Sequence, residues 1–220
     1  MANKPKALIF DLNGTMIDDM AYHIRAWTDI LNNDLQAGLT HAQVKSQMYG
    51  KNSELLIRVF GKGRFTGDEM QHWSIEKEKR YQQAFLPHLK LIGGLDVFLK
   101  KAFEKNIPMA IGSAAIPFNI DFILDHLDLR KYFKAIVSAE DVAISKPHPE
   151  TFLKAAAQLK ISPDDCIVFE DAPKGLEASI RAGIPCIVLT TLHERNEFQP
   201  DPHILTFIKD YTDPFILSLL

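Results

Sequence analysis

Residues 8–18 read LIFDLNGTMID. An apolar run ends abruptly at Asp11, and Gly14-Thr15 follow shortly after. This predicts a β-strand feeding a tight loop with a carboxylate at its tip. Asn13 stands just beyond Asp11, where a second carboxylate would make more chemical sense. Similar apolar runs recur as ALIF (7–10), MAIG (109–112), AIV (135–137), CIVF (166–169) and PCIVL (185–189). They lack polar alternation, the pattern of strands covered on both faces and hence of a parallel sheet. Helix-period segments lie between them at 94–106, 117–129, 148–160 and 172–183. In the first, Leu95, Phe98, Leu99, Ala102 and Phe103 share one stripe. The last ends at Gly183, a fitting helix stop before Ile184-Pro185. Alternating strands and helices predict an α/β fold with an open, doubly wound, Rossmann-like and mostly parallel sheet.

Residues 18–88 break this rhythm. They contain no strand run, only helix-period segments at 21–35, 41–50, 53–61 and 66–85 separated by short polar or glycine breaks. The expected organisation is a core of residues 1–17 plus 89–220 and an all-helical insert, 18–88, after the first strand. Residues 87–94, PHLKLIGG, look like the return linker. The charged stretch IEKEKRYQQ (75–83) reads as a solvated helix face.

Composition narrows the class. Of 220 residues 46% are hydrophobic, enough for a substantial core and against wholesale disorder. A net charge of -3 with mixed signs gives no basic excess, which argues against a nucleic-acid partner. No run approaches the roughly 18 apolar residues of a membrane span. The N-terminus lacks the layout of a signal peptide, because ALIF is too short for its apolar region. The expectation is a cytoplasmic protein, with no membrane partner, that is a monomer or weak oligomer. Cys166 and Cys186 lie inside apolar runs and read as buried reduced thiols, not as a metal pair.

Four features stand at the carboxyl ends of expected strands, where open α/β sheets bind ligands. They are Asp11 with Gly14 and Thr15, then Ser113, then Lys146 in SKPHPE, then Glu170-Asp171. Singly, each has an ordinary reading: a helix cap, a turn residue, an exposed lysine, a solvated acidic pair. Together they converge on one crevice. Carboxylates that close repel unless a cation sits among them. Asp11, Asp171 and Glu170 offer hard oxygen ligands, which suit Mg2+ bound together with a substrate phosphate. Lys146, Ser113 and loop amides would hold phosphoryl oxygens.

The order FDLNGT, IGSA, SKPHPE and FEDAPKGLEA resembles the haloacid dehalogenase superfamily of phosphohydrolases and phosphomutases, over nearly the whole chain. The helical insert resembles that family's small α-helical cap. YHIRAW (22–27) is most similar to the β-phosphoglucomutase-like branch, which also holds sugar-phosphate phosphatases and some pyrophosphatases. The resemblance implies that Asp11 is the nucleophile and passes through an aspartyl-phosphate. It implies that Ser113 and Lys146 bind the phosphoryl group, with Gly14, Thr15 and Ala114 beside them. Mg2+ would be held by Asp11, the backbone carbonyl of Asn13, Asp171 and Glu170. In the cap, His23 and Lys51 are the expected substrate contacts. The expected substrate is a small phosphorylated metabolite, hydrolysed as a phosphate ester or pyrophosphate.

In the phosphatase branch, the residue at position 13 is normally an Asp that protonates the leaving oxygen and then activates water. Asn13 can do neither, so turnover is expected to be impaired, by about 10²–10⁴-fold for a lost general acid–base. An isosteric inactivating replacement, a natural member with lowered activity or a binding role, and chemistry that needs no acid there are the three explanations. Ala114, Ala115 and Ile116 replace the polar residues that follow the serine in the mutase pattern, so hydrolysis is preferred to a mutase activity. A non-catalytic phosphometabolite-binding protein is the alternative of another class.

Overall fold

A computed structural model describes residues 4–220 of the chain. It divides into two compact units, one comprising the residues through Asp18 together with Lys90–Leu220, the other Asp19–Leu89. Among the described residues of the first unit, six strands form one sheet: β1 Ala7–Phe10, β2 Met109–Gly112, β3 Phe133–Val137, β4 Cys166–Glu170, β5 Cys186–Leu189 and β6 Ile204–Ile208. Their order is β3-β2-β1-β4-β5-β6, and every pair is parallel. Every residue of β1, β2, β4 and β5 is buried, as two-sided cover requires. The sequence pattern missed β6. Thr206 interrupts its apolar run, and four of its five residues are only half-buried at the sheet edge.

The second unit is helical, with α1 Met20–Asp29, α2 His41–Lys45, α3 Asn52–Phe60 and α4 Gly67–Phe85. A π-helical turn over Ile30–Asp34 extends α1. Thr40 with Gln43 and Thr66 with Glu69 form reciprocal caps at the starts of α2 and α4. Residues 75–83 differ from the solvated face expected of them. Ser74, Lys77, Glu78, Tyr81 and Phe85 are buried along one stripe of α4. Their three- and four-residue spacing is that of an inward face, obscured because two of its members are charged.

The remaining helices belong to the sheet-bearing unit: α5 Leu95–Glu104, α6 Pro117–His126, α7 Glu150–Leu159, α8 Pro173–Arg181 and the short α9 Pro214–Ser218. On α5, Leu95, Phe98, Leu99 and Ala102 face inward, but Phe103 is 51% exposed and meets the edge of Tyr132. Its place on the stripe lies too far round the helix. Gly183 takes a left-handed φ of 70°, and the Ile184 amide returns to the Ser179 carbonyl, closing α8 as expected. Cys166 and Cys186 are both buried free thiols. No helix among the described residues is long and apolar enough to cross a membrane.

The strand order reverses between β1 and β4, which pair in register with Phe10 opposite Phe169. Open sheets bind ligands at such a switch point, beyond the carboxyl ends of the strands. Beneath it the two rings stack at 4.7 Å, Phe98 packs edge-on against both, and Tyr211 lies 5.5 Å from Phe169. Phe10 and Phe169 immediately precede Asp11 and Glu170, so this aromatic floor sets where the two carboxylates emerge. Phe98→Ala is expected to lower stability by about 3–5 kcal/mol, measured by urea unfolding. A loss under about 1 kcal/mol would show that the floor is not packed as described.

Candidate active site

Asp11 follows β1, and its amide donates to the Phe169 carbonyl at 2.9 Å, tying the start of the loop to β4. Residues 12–17 then fold back on themselves: the Met16 amide donates to the Leu12 carbonyl and the Gly14 amide to the Ile17 carbonyl, each at 2.8 Å. Glu170 ends β4, and Asp171 comes next. Lys146 arrives on the segment before α7 and bridges the two strand ends. Its ammonium lies 2.6 Å from Asp11 Oδ1 and 2.7 Å from Glu170 Oε1, and 4.5 Å above the Phe152 ring. Glu170 Oε2 accepts the amides of Asp171 and Ala172, each at 2.8 Å. Thr15 Oγ1 donates to Asp171 Oδ1 at 3.2 Å.

Two glycines make this crowding possible. A Cβ at Gly175 would fall 1.8 Å from Glu170 Oε1, and one at Gly14 would fall 2.1 Å from Asp171 Oδ2. Gly14 also takes a φ of 77°, in the left-handed region that side chains disfavour.

The structure thus brings Asp11, Gly14, Thr15, Lys146, Glu170 and Asp171 together. Asn13 lies in the same loop and bridges to Ile17. Ser113 is buried one residue past β2, the strand beside β1, so it stands on the same sheet edge. Its amide donates to the Val137 carbonyl, and its hydroxyl accepts the Ala115 amide at 3.1 Å, with Ala114 in the turn between.

His23 and Lys51 belong to the helical unit. His23 is buried, stacked on Tyr81 at 3.7 Å between ring centroids. Lys77 Nζ lies 2.7 Å from its Nδ1, and Asp19 Oδ2 lies 3.1 Å from its Nε2. An ammonium only donates, so Nδ1 accepts and the ring proton sits on Nε2, toward Asp19. Asp19 also accepts the Tyr81 hydroxyl, and Lys77 and Asn52 both donate to Glu78 Oε1. Lys51 is half-buried at the start of α3, where its amide donates to Glu54. Asp19 was absent from the sequence expectations, and Lys77, Glu78 and Tyr81 were expected only as part of a solvated face. The stripe spacing of α4 was the available signal.

Electrostatics set the sheet-edge cluster apart. Asp11, Glu170 and Asp171 are buried carboxylates, and Lys146 is the buried ammonium among them. Burial, with the charges of Glu170 and Asp11, pushes the Asp171 carboxyl well above the usual range. Burial alone would lower Lys146, but Asp11 and Glu170 outweigh it and hold the ammonium above an ordinary lysine. The cluster therefore carries more negative charge than its lysine balances. A hard divalent cation fits this donor chemistry. Among the described residues no group of three or more His, Cys, Asp or Glu side chains forms a ready-made metal cage. Mg2+ characteristically uses only one or two carboxylates and completes its shell with water and phosphate.

The charge imbalance predicts opposite effects for two substitutions in metal-free protein. In the folded state Asp171 keeps its proton at pH values where the unfolded chain has released it. Folding therefore loses stability as pH rises through that interval. Asp171→Asn should remove this loss and give a higher urea midpoint at neutral pH, with the gain vanishing in acid. Lys146→Gln should cost about 3–5 kcal/mol, because it strands buried charge. A lower midpoint for Asp171→Asn at neutral pH would overturn this account.

The chain is similar to known proteins in sequence and in fold. Residues 8–189 match the family model of haloacid dehalogenase-like hydrolases. The β-phosphoglucomutase of Bacillus subtilis is 34% identical over 81% of this chain and 80% of its own length. The fructose-1-phosphate phosphatase of Escherichia coli is 29% identical over 85% of this chain and 97% of its own. In fold, the chain superposes on the β-phosphoglucomutase of Clostridium difficile with a TM-score of 0.82, covering 98% of this chain and 96% of that one at 24% identity. The chain that carries Asp11, Lys146 and Asp171 at the switch point of its sheet belongs to the haloacid dehalogenase-like hydrolase family.

Proposed function

We propose that this protein is a Mg2+-dependent phosphohydrolase of small phosphorylated metabolites, with sugar phosphates as the substrate class. The observation that carries it is the Asp11–Lys146–Glu170–Asp171 cluster. Asp11 attacks phosphorus as the P–O bond to the sugar breaks, the leaving oxygen taking its proton from water because Asn13 has none to give, and a second water then cleaves the aspartyl-phosphate to inorganic phosphate and free Asp11. Lys146 holds Asp11 and neutralises charge on the phosphoryl oxygens, and Ser113 with the Ala114 turn contributes hydrogen bonds. Asp11, Asp171 and the Asn13 carbonyl would hold Mg2+. Glu170 stands beside them, fastening Lys146 and the Asp171–Ala172 turn. When bound, the cation offsets the charge of the carboxylates and the phosphate. Phosphoryl transfer needs mainly alignment and such charge compensation, and these residues supply both.

Relatives named as a fructose-1-phosphate phosphatase, a hexitol phosphatase and a (DL)-glycerol-3-phosphatase support the substrate class. The relative named β-phosphoglucomutase favours a second reading, transfer to a sugar hydroxyl. The helical unit selects the substrate in either case, with Lys51 as its contact; His23, expected beside it, is buried with both ring nitrogens engaged by Lys77 and Asp19, and so orders the unit instead. Asn13 holds its loop but cannot shuttle a proton, so turnover is slow while binding is retained.

Asn13→Asp tests this. With Mg2+, the variant should hydrolyse at least one hexose or polyol phosphate about 10²–10⁴-fold faster than the parent. Conversion of β-glucose 1-phosphate to the 6-phosphate, without phosphate release, would select the mutase reading. A folded Asn13→Asp protein that turns over no phosphorylated compound, yet binds one tightly by calorimetry, would replace both with a binding role.

A further inference from the structure

Two hydroxyls from the far side of the sheet grip the loop that follows Asp11. Thr191, just past β5, donates to the Gly14 carbonyl at 2.6 Å. Tyr211, just past β6, donates to the Thr15 carbonyl at 3.2 Å. Thr15 passes the constraint on through its own hydroxyl to Asp171. Tyr211 is fully buried in the aromatic floor, 5.9 Å from Phe98 and 6.4 Å from Phe10. Its backbone serves a second contact, because its amide donates to the Gly93 carbonyl at 2.9 Å. A Cβ on Gly94 would lie 2.9 Å from the Tyr211 carbonyl carbon. The Ile92 amide in turn donates to the Met16 carbonyl at 2.9 Å, joining the returning chain to the departing one.

We propose that Thr191 and Tyr211 are positioning residues for the phosphoryl-transfer site. They fix the peptide planes of Gly14 and Thr15, and through them the Asn13 carbonyl and the Asp171 carboxylate. This rests on the proposed function for its chemical consequence, but not for the loop geometry itself. The plane that holds the Asn13 carbonyl joins the Gly14 plane at the Gly14 Cα, so freedom gained at Gly14 or Thr15 loosens the position of that carbonyl. Because Tyr211 also holds Gly93, one residue ties the loop after Asp11 to residues 92–94 within the first unit. Burial, with the charges of Asp11 and Asp171, pushes the tyrosine hydroxyl well above its usual range, so it remains a donor.

Tyr211→Phe and Thr191→Val remove one hydroxyl each and keep the packing; Thr191→Ser keeps the donor. Amide hydrogen exchange of residues 12–17 in metal-free protein is the first readout. Loss of one such bond should speed exchange there by about tenfold, with β1 and β4 unchanged and Thr191→Ser like the parent. In the Asn13→Asp background, the phenylalanine and valine variants should lose about tenfold in kcat while KM holds, because alignment rather than substrate affinity is lost. Folded variants with parental exchange over 12–17 overturn the assignment. So does a rise shared equally by all peptides, which marks general loosening. Faster loop exchange rescued by Thr191→Ser, in a protein whose Asn13→Asp form hydrolyses no phosphate ester, supports the loop assignment and removes the hydrolase reading.

Discussion

The Lys146 ammonium, held between Asp11 and Glu170, is the contact on which the site depends. Buried carboxylates tolerate each other only with a counter-charge between them. That requirement selects the topology around it. Asp11 and Glu170 must leave neighbouring strands at the same edge, which places β4 beside β1 although most of the first unit's chain separates them. It also selects glycine at 14 and 175, since any side chain there would occupy the carboxylates' space. Phe10 and Phe169 complete the arrangement from below, because their stacking fixes the register in which the two acids emerge.

One lysine does not balance three buried carboxylates, and the excess has a chemical meaning. A phosphate ester is itself anionic, so this crevice repels its substrate until a cation joins it. On the proposed reading, cation and phosphate bind as a unit, each lowering the cost of the other. Asn13 alters this balance as well as the proton transfer. An aspartate there would add a fourth acid to the cluster, whereas the amide adds none. On the proposed reading, the chain gives up acid–base power and gains tolerance for the phosphate dianion.

The strands β1, β2, β4 and β5 were legible because burial on both faces demands unbroken apolar runs, which few other structures use. Asp11, Glu170 and Asp171 were legible because they close such runs, and Lys146 because of the SKPHPE stretch around it. What escaped shares a physical cause. β6 is an edge strand, so its burial is partial and its pattern diluted by Thr206. Lys77 and Glu78 are charged yet buried, because they satisfy each other and His23 inside the helical unit. Thr191 and Tyr211 act on a loop far away in sequence. Their spacing therefore carried no sign of it, and a threonine or tyrosine after a strand is ordinary on its own.

On the proposed reading, hydrolysis and transfer to a sugar hydroxyl share every step up to the aspartyl-phosphate, so the cluster around Lys146 would serve both equally. They part over what next meets the phosphoryl group, a water or a sugar hydroxyl. A mutase must retain a doubly phosphorylated sugar while it reorients, which requires a firm grip on the second phosphate. In this chain the turn after Ser113 is Ala114, Ala115 and Ile116, which bring neither a hydroxyl nor a positive charge. Only backbone groups remain there to hold that second phosphate. A sugar phosphate held weakly there leaves before its free hydroxyl can accept from the aspartyl-phosphate, and water then becomes the acceptor. On the proposed reading the balance of the site favours hydrolysis, on the same side of the sheet where Asp11, Lys146 and Asp171 would supply the chemistry common to both.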